Sequence, residues 1–283
     1  MEQEAVVITG ASTGIGQACA LYLNQLGFQV FAGVRKLEDG SALEQQASNR
    51  LTPVIMDVTD SDSISAAVAN ISAKLDEHRL VGLVNNAGIA VAGPLEFIPL
   101  ERLRRQVEVN VIGQIAVTQA FLPLLRNSQG RIVFISSISG RVATPLIGPY
   151  AASKFAVEAL ADSLRRELLP WGIQVSVIQP GRISTPIWGK SVAAADELVT
   201  NLPDEAHKLY GNMIGTARDS VLRSRKGTSS EAVARAVAHA LISSRPRTRY
   251  LVGMDAKLAA LIVHFLPDRM IDRLLAYQRK IRQ

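Results

Sequence analysis

The amino-acid sequence predicts one α/β domain, doubly wound, with a seven-stranded parallel sheet covered by helices on both faces. Three observations support this fold class. Short, apolar, β-branched segments recur along the chain, longer segments with helical periodicity separate them, and no linker rich in glycine, serine or proline divides the 283 residues. Short strands that alternate with longer helices are typical of parallel sheets buried on both faces.

The predicted elements alternate in a regular order along most of the chain. Strands are expected near residues 5–9, 28–34, 51–56, 80–84, 131–136, 173–178 and 248–252. Helices are expected at 15–26, 61–75, 100–125, 151–169 and 230–242. The mixed segment 182–228 interrupts this order, and we interpret it as a substrate-binding lid, because long insertions in compact domains are often lids. The single domain 1–283 then comprises a cofactor and catalytic core at 1–181, this lid, and a basic C-terminal extension at 250–283.

The composition argues against several classes of protein. Cys19 is the single cysteine, which leaves no disulfide framework and no cysteine-based metal site, and the four histidines lie too far apart for a metal motif. The first residues, MEQEAVVITG, lack the basic region of a signal peptide, and no apolar run reaches the ~18 residues of a spanning helix. We therefore expect a cytoplasmic protein without a bound metal.

The net charge of +6 is concentrated in the C-terminal tail. Residues 223–283 hold 13 Lys and Arg against 4 Asp and Glu, whereas residues 1–222 hold 18 against 21. Because the body of the protein is slightly acidic, nucleic-acid binding is not expected. The tail from Asp255 to Gln283 contains short apolar runs flanked by basic residues. Either it docks onto a partner subunit or over the substrate cleft, which we favour, or it makes a peripheral membrane contact.

A glycine-rich loop joins the first predicted strand to the first predicted helix. In the segment TGASTGIG, the glycines are Gly10, Gly14 and Gly16. Glycine lets the backbone turn tightly and approach a ligand closely, and the following helix offers unpaired N–H groups to a phosphate. This strand–loop–helix context predicts a dinucleotide-binding site in a Rossmann-type domain. The alternative is an ordinary tight turn.

The end of the second strand carries basic residues where NAD-specific sites commonly carry a carboxylate. Val34 occupies that position, and Arg35 and Lys36 follow it. A guanidinium binds a 2′-phosphate that a carboxylate would repel. The sequence therefore predicts that NADP(H) is preferred over NAD(H). The alternative is that both residues are solvated loop charges.

The segment PYAASKFA places a tyrosine and a lysine one helical turn apart among small residues. Residues at i and i+4 are neighbours on a helix surface, so Tyr150 and Lys154 are expected to lie close together. A free phenol has a pKa of about 10, which is too high for a base at neutral pH, but a neighbouring cation favours the phenolate. The pair therefore predicts a tyrosine that transfers a proton and a lysine that lowers its pKa.

Polar or small residues follow several strands at the carboxyl edge of the predicted sheet, where parallel α/β sheets bind ligands. They lie in MDVTD after the third strand, LVNNAG after the fourth, ISSISG after the fifth and QPGRISTP after the sixth. Asn110 lies inside an apolar helical run, VNVIGQ, where a buried amide needs partners. It is therefore either a satisfied core residue or a functional one.

Together these motifs resemble the short-chain dehydrogenase/reductase family. The family's marks are a TGxxxGxG loop, NNAG, a helical Asn, a Ser thirteen residues before the Tyr, YxxxK, and PG after the sixth strand. In this chain they are Gly10, Gly14 and Gly16; Asn85 to Gly88; Asn110; Ser137; Tyr150 and Lys154; and Pro180 and Gly181. The segments VFAGVRK, GLVNNAGIAVAGPLE and RYLVGMDAKL are most similar to the branch of retinol and steroid dehydrogenases and their bacterial relatives.

The resemblance implies an enzyme that moves a hydride between NADP(H) and the carbinol or carbonyl carbon of a substrate. Tyr150 would be the acid/base, and Lys154 would lower its pKa and hold the cofactor ribose. Ser137 would bond the substrate oxygen, and Asn110 would hold a water in the proton relay. The implied cofactor-binding residues are Gly10, Ser12, Thr13, Gly14, Ile15, Gly16, Arg35, Lys36, Asp57, Val58, Asn86, Ala87, Gly88, Tyr150, Lys154, Pro180, Gly181, Ile183 and Thr185.

One position departs from the family pattern. Thr13 stands where NADP-using members often have a basic residue, so the predicted preference for NADP(H) depends on Arg35 and Lys36. The family resemblance also implies a homodimer or homotetramer, formed through the helices near 100–125 and 151–169.

The substrate is less well defined than the chemistry. Apolar residues in the segment 182–228 favour a hydrophobic alcohol, ketone or aldehyde, retinoid- or steroid-like, although a simple packing lid explains them equally well. The main alternative is a 3-oxoacyl-carrier-protein reductase whose basic tail meets an acidic carrier protein. A non-catalytic NADP-sensing regulator on the same fold is a further alternative, which the presence of both Tyr150 and Lys154 disfavours.

Overall fold

Seven strands form one parallel sheet in the structure, a computed structural model that describes residues 4–75, 78–184, 199–200, 202–223 and 227–280. The strands are β1 (Glu4–Ile8), β2 (Gln29–Val34), β3 (Leu51–Ile55), β4 (Arg79–Asn85), β5 (Arg131–Ile135), β6 (Gln174–Pro180) and β7 (Arg249–Val252). Their order in the sheet is β3-β2-β1-β4-β5-β6-β7. The predicted fold class is confirmed, and every predicted strand lies close to its expected position.

Helices connect the strands and cover both faces of the sheet. They are α1 (Gly14–Gln25), α2 (Leu37–Glu44), α3 (Ser61–Leu75), α4 (Leu100–Val107), α5 (Gly113–Ser128), α6 (Gly148–Glu167), α7 (Asp204–Arg223), α8 (Ser230–Ile242), α9 (Met254–Phe265) and α10 (Asp268–Lys280). A π-helical turn, Glu108–Ile112, joins α4 to α5. The sequence did not predict α2, α7, α9 and α10 as helices, and α7 lies within the segment interpreted as a lid.

The sheet separates two hydrophobic cores. Because successive side chains of a strand point to opposite faces, β1 contributes Ala5 and Val7 to one core and Val6 and Ile8 to the other. The first core lies under α3, α5 and α6, and the second lies under α1 and α8. Burial on both faces explains why the strand sequence is continuously apolar instead of alternating.

The order of the strands creates a crevice at the carboxyl edge of the sheet. The chain runs outward from β1 through β2 to β3, and then returns to place β4 on the other side of β1. Ligands of open α/β sheets bind where the strand order reverses in this way. The loops after β1 to β6 therefore meet around one site.

One long helical segment passes a simple test for a membrane span. Among the described residues, the helix Leu100–Ser128 is long and apolar enough to cross a membrane by length and composition alone, which the sequence prediction did not anticipate. Its side chains at Val117, Phe121 and Leu125 are completely buried against the sheet. Core helices of this kind pass the same test, so the helix is weak support for a membrane location.

Helix α9, the first helix of the C-terminal extension, packs on the domain and exposes an apolar stripe. Ala256 and Ala260 are buried, whereas Leu258, Leu261 and Phe265 are 59, 56 and 70% exposed. These three exposed side chains recur at helical spacing, so they share one face of α9. The tail therefore begins as a docked helix with an uncovered apolar face.

Candidate active site

A cavity of about 450 Å³ lies at the carboxyl edge of the sheet, where the strand order reverses. The residues predicted to bind cofactor or substrate that line it are Gly10, Ser12, Thr13, Gly14, Ile15, Arg35, Asp57, Val58, Asn86, Ala87, Gly88, Ser137, Tyr150, Lys154, Pro180, Gly181 and Ile183. Three of the predicted residues do not line the cavity that the described residues form: Gly16, Lys36 and Asn110. Thr185 is not among the residues that the structure describes.

Close approaches of the backbone shape the glycine loop. Gly10 and Gly14 have positive φ angles of 64° and 63°, which glycine adopts without strain. A Cβ on Gly16 would lie 2.3 Å from the Gly10 carbonyl oxygen and 2.4 Å from Asn86 Nδ2. The Asn86 amide donates hydrogen bonds to the carbonyl oxygens of Thr9 and Gly10 at 2.9 and 3.0 Å. Gly16 therefore supports the loop from behind, which explains why it does not line the cavity.

The loop and the helix after it form a cradle for an anion. α1 begins at Gly14, and within the described chain the Thr13 side chain makes no capping hydrogen bond to the helix backbone. The first N–H groups of a helix have no partner inside the helix and carry the positive end of its dipole. A Cβ on Gly10 would lie 2.8 Å from Ala87 Cα, so the loops after β1 and β4 are in close contact. A glycine-walled helix N-terminus fits a pyrophosphate, and these residues thus fit the dinucleotide that the sequence predicts.

Ser137, Tyr150 and Lys154 meet at one end of the cavity. Ser137 follows β5, and Tyr150 and Lys154 lie one turn apart near the start of α6. The hydroxyl groups of Ser137 and Tyr150 are hydrogen-bonded, and Ser137 Oγ also accepts the Ser139 N–H at 3.1 Å. Lys154 Nζ donates to the Ile135 carbonyl oxygen at 2.7 Å and lies 5.7 Å from the centre of the Tyr150 ring.

Burial has the largest effect on the pKa of the Tyr150 phenol. Desolvation raises the pKa of Tyr150 above its ordinary value, and the hydrogen bond with Ser137 opposes that shift only in part. In the protein without its cofactor, burial of the phenol dominates and the ammonium is directed to Ile135, so the lowering of the Tyr150 pKa by Lys154 stays a prediction. Tyr150 is held as a neutral phenol, which is the form that donates a proton.

The lysine itself is strongly affected by its surroundings. Lys154 is only 4% exposed, and desolvation lowers its pKa to about 8, while the Glu158 carboxylate raises it. Glu158 is also buried, lies one turn farther along α6, and accepts a hydrogen bond from Arg249 Nε at 2.9 Å. The charge on Lys154 is thus sensitive to alkaline pH in the range where a solvated lysine would stay protonated.

Asn110 is completely buried in the π-helical turn between α4 and α5. Its Oδ1 accepts the Ile89 N–H at 2.8 Å, and its Nδ2 donates to the Ile89 carbonyl oxygen at 3.0 Å and to Ser153 Oγ at 3.1 Å. The amide therefore braces the loop after β4 against α6. π-Helical turns are often found at functional sites, and the predicted role of Asn110 in a proton relay stays a prediction.

The ends of β2 and β3 form the other end of the cavity. Val34, the last residue of β2, is buried, and the exposed Arg35 after it lines the cavity. Lys36 precedes α2 and is not among the residues of the described chain that line the cavity. Of the predicted basic pair, Arg35 is therefore the one placed to meet a ligand.

Two arginines that the sequence reasoning missed also line the cavity. Arg102 and Arg105 stand one turn apart on α4, and Arg105 Nη1 donates to Thr59 Oγ1 at 3.1 Å. Burial raises the pKa of the adjacent Asp57, but hydrogen bonds from Thr59 and the charges of Arg105 and Arg35 outweigh burial and lower it. The three-residue spacing in LERLRRQV was the available signal, although only the topology shows where that face of the helix points.

Asp255 is a further residue that the sequence reasoning did not identify. It lies in the first turn of α9, and its Oδ2 accepts the Arg182 N–H at 2.6 Å. A Cβ on Gly181 would lie 2.3 Å from its Oδ1, so the glycine after Pro180 is required by this contact. The C-terminal extension therefore braces the segment after β6 that lines the cavity.

Known proteins are similar to this chain in sequence and in fold. The chain matches the family model described as short chain dehydrogenase over residues 4–196. It is 38% identical over 275 residues to the NADPH-dependent 3-dehydrocapnine reductase of Ornithobacterium rhinotracheale, an alignment that covers 95% of this chain and 94% of that protein. It is 37% identical over 282 residues to retinol dehydrogenase 5 of Mus musculus, covering 96% of this chain and 87% of that protein.

A solved structure provides a further comparison. A short chain dehydrogenase from Burkholderia cenocepacia in complex with NADP has a TM-score of 0.71 to this chain, at 27% sequence identity and with 95% of each chain covered. These matches, with a further match at 37% identity to the 17-beta-hydroxysteroid dehydrogenase type 6 of Bos taurus, confirm the predicted resemblance to the retinol and steroid dehydrogenase branch and its bacterial relatives.

Proposed function

The chain belongs to the short-chain dehydrogenase family, and we propose that it transfers a hydride between NADP(H) and the carbinol or carbonyl carbon of a hydrophobic alcohol, ketone or aldehyde. As a family member it is an oxidoreductase that acts on CH–OH groups. The observation that carries the finer proposal is the two-ended cavity. Ser137, Tyr150 and Lys154 occupy one end, and Arg35 lies at the other end, across a glycine-walled cradle.

The residues of the chain supply the proton and position the reactants. When bound, the cofactor supplies or accepts the hydride. Tyr150, whose neutral phenol is favoured by burial, donates its proton to a carbonyl oxygen in reduction; in alcohol oxidation its phenolate form takes the proton back. The Ser137 hydroxyl, which is hydrogen-bonded to Tyr150, holds the same substrate oxygen. Lys154 keeps a cation near the phenol and offers donors to the cofactor ribose.

Arg35 supports a preference for the phosphorylated cofactor. The buried Val34 leaves no carboxylate at the end of β2 to accept bonds from an adenosine ribose, and the Arg35 guanidinium lines the cavity beside it. A guanidinium forms charge-assisted, often bidentate bonds to a phosphate. A relative named as NADPH-dependent and a neighbouring structure in complex with NADP support the same preference.

The substrate is proposed to be hydrophobic, retinoid- or steroid-like. A relative named as a retinol dehydrogenase supports this class. The described part of the segment 182–228 also supports its role as a lid, because Tyr210 on α7 donates to Glu96 Oε2 at 2.7 Å and its ring meets Phe97 edge-on at 5.9 Å. Glu96 and Phe97 belong to the loop after β4, whose earlier residues Ala90 and Val91 line the cavity.

Oligomer formation and location are also proposals. Exposed apolar side chains at Ile112, Phe155 and Leu160 support a homodimer or homotetramer formed through the α4–α5 and α6 segments. The contact of Asp255 with Arg182 supports docking of the tail beside the substrate cleft. The exposed stripe on α9 supports the second interpretation, a peripheral membrane contact of an otherwise cytoplasmic enzyme.

A substrate panel tests the proposed function. Retinoid, steroid, 3-oxoacyl and small ketones and aldehydes are each offered with NADPH and with NADH, and oxidation of the cofactor is followed by absorbance. We expect turnover of a retinoid- or steroid-like carbonyl with NADPH. Turnover of 3-oxoacyl thioesters alone would favour the carrier-protein reductase instead. Tight NADPH binding without turnover of any carbonyl would favour the non-catalytic regulator.

A further inference from the structure

The cavity end that holds Arg35, called here the cationic end, receives basic side chains from more than the end of β2. Because β2 and β3 are neighbours in the sheet, the residues after these strands lie together, away from Tyr150 on α6. Arg102 and Arg105 line the cavity from α4, and the bond from Arg105 to Thr59 joins this helix to the segment after β3. The guanidinium groups of Arg35 and Arg105 both lower the pKa of the Asp57 carboxyl through their charges, so both lie near this carboxylate.

The orientation of α4 is fixed by a buried side chain. Gln106 is completely buried, its Oε1 accepts the Val91 N–H at 2.7 Å, and its Nε2 donates to the Ile89 carbonyl oxygen at 2.9 Å. These bonds tie the helix to the loop after β4 and set the direction of the preceding turn. Arg105 is held further by its bond to Thr59. The two arginines are thus presented by a rigid element, as specific binding requires.

The charges at this end favour an anion. Among the described residues that line the cavity, three guanidinium groups, from Arg35, Arg102 and Arg105, stand against one carboxylate, that of Asp57. A phosphate monoester carries close to two negative charges at neutral pH. The glycine loop has Thr13 where a basic residue would otherwise assist. The positive charge that this loop lacks is available from α4.

We propose that Arg105, assisted by Arg102, is a second cationic arm that binds the 2′-phosphate of NADP(H) together with Arg35. This inference rests on the proposed function, in which the cofactor is NADP(H). It assigns the cofactor preference to two separate elements, the end of β2 and the first turns of α4. A substitution in either arm should then weaken the binding of NADP(H) without abolishing it.

Ligand binding to the full chain tests the inference without any turnover. Isothermal titration compares adenosine 2′,5′-bisphosphate with 5′-AMP, which differ by the 2′-phosphate alone. Arg105→Ala should weaken binding of the bisphosphate by about five- to tenfold and leave 5′-AMP within about twofold, because one charge-assisted contact is lost. The salt dependence of bisphosphate binding should also become shallower, since one fewer cation faces the phosphate.

Arg104→Ala is the matched control. Arg104 lies on the same turn of α4 and is exposed, but it is not among the described residues that line the cavity. We expect Arg104→Ala to bind both ligands as the wild type does. Equal weakening of both ligands by Arg105→Ala, or equal effects of the two substitutions on the bisphosphate, would overturn the inference. A thermal melt of each variant shows whether it is folded, and Arg105→Lys, which keeps the charge, should recover part of the loss.

The two proposals can fail separately. If the wild type binds the bisphosphate no more tightly than 5′-AMP, the NADP(H) preference itself is wrong. If the wild type prefers the bisphosphate and Arg105→Ala keeps that preference in full, the preference stands and the role of α4 is wrong.

Discussion

Replacement of Lys154 by Met should make the protein more stable at neutral pH while it removes activity. Folding lowers the Lys154 pKa from 10.5 to about 8 by removing the ammonium from water. At about 1.4 kcal/mol per pKa unit, keeping that proton in the folded protein costs roughly 3 kcal/mol at pH 7. Met has a similar length and no charge, and the lost bond to Ile135 is worth about 1 kcal/mol. The Lys154→Met variant should therefore be more stable than the wild type by about 2 kcal/mol.

The pH dependence provides the sharper test. Between pH 8 and 10.5 the unfolded chain retains the lysine proton that the folded chain has released. The wild type therefore gains stability from this group as the pH rises through that window, and Lys154→Met does not. The stability advantage of about 2 kcal/mol that the variant has at pH 7 should therefore be lost by about pH 10.

Urea denaturation at the two pH values measures the effect, provided that the slope with denaturant is the same for both proteins. Lys257→Met is the control, because Lys257 on α9 is exposed and the substitution should leave the pH dependence unchanged. A Lys154→Met variant that is less stable than the wild type by the same amount at both pH values would refute the reasoning. It would show that the Lys154 ammonium is not desolvated in the folded protein.

Three other predictions concern the glycine loop, the cofactor and the tail. Gly16→Ala should abolish cofactor binding and lower the melting temperature, because the new Cβ would lie 2.3 Å from the Gly10 carbonyl oxygen. The control Gly211→Ala, whose new Cβ would meet no described atom within 4 Å in α7, should stabilise the protein by up to about 1 kcal/mol. Equal melting temperatures for the two variants would contradict this prediction. Arg35→Ala should reduce the NADPH-to-NADH ratio of kcat/KM about tenfold by weakening NADPH use, and a wild type that uses both cofactors equally would disprove the role of Arg35. The docked tail predicts that the wild type does not float with anionic vesicles at low salt, whereas salt-sensitive flotation that Leu258→Glu removes would favour the membrane contact.

Much of the fold and of the site can be predicted because the signals are local. The strands are buried on both faces, so each is a short apolar run that ends at a turn, and the glycine loop is recognisable from its position between such a run and a helix. The same holds for Tyr150 and Lys154, whose spacing fixes their proximity on any helix. These features need no knowledge of which strands are neighbours.

Other features depend on contacts between distant parts of the chain. Asp255 braces Gly181 and Arg182 across a separation that no local pattern reveals, and Arg105 meets the cavity only because α4 follows the return of the chain to β4. The pKa of Tyr150 depends on how deeply the phenol is buried, which the spacing of Tyr150 and Lys154 does not determine. Sequence reasoning about charge pairs therefore identified the residues but not the effect of burial.

The proton-transfer role of Tyr150 is tested most directly by comparing the wild type with Tyr150→Phe in a single turnover of the best carbonyl substrate from the panel, with NADPH binding measured in parallel by fluorescence. The substitution removes one hydroxyl and leaves the buried ring in place. We predict that the rate falls by more than about tenfold, towards the ~10²–10⁴-fold contribution of general acid catalysis. The dissociation constant of NADPH should change by less than about twofold, which corresponds to under half a kcal/mol. A variant that keeps more than about a tenth of the wild-type rate would contradict the account, because another group would then supply the proton.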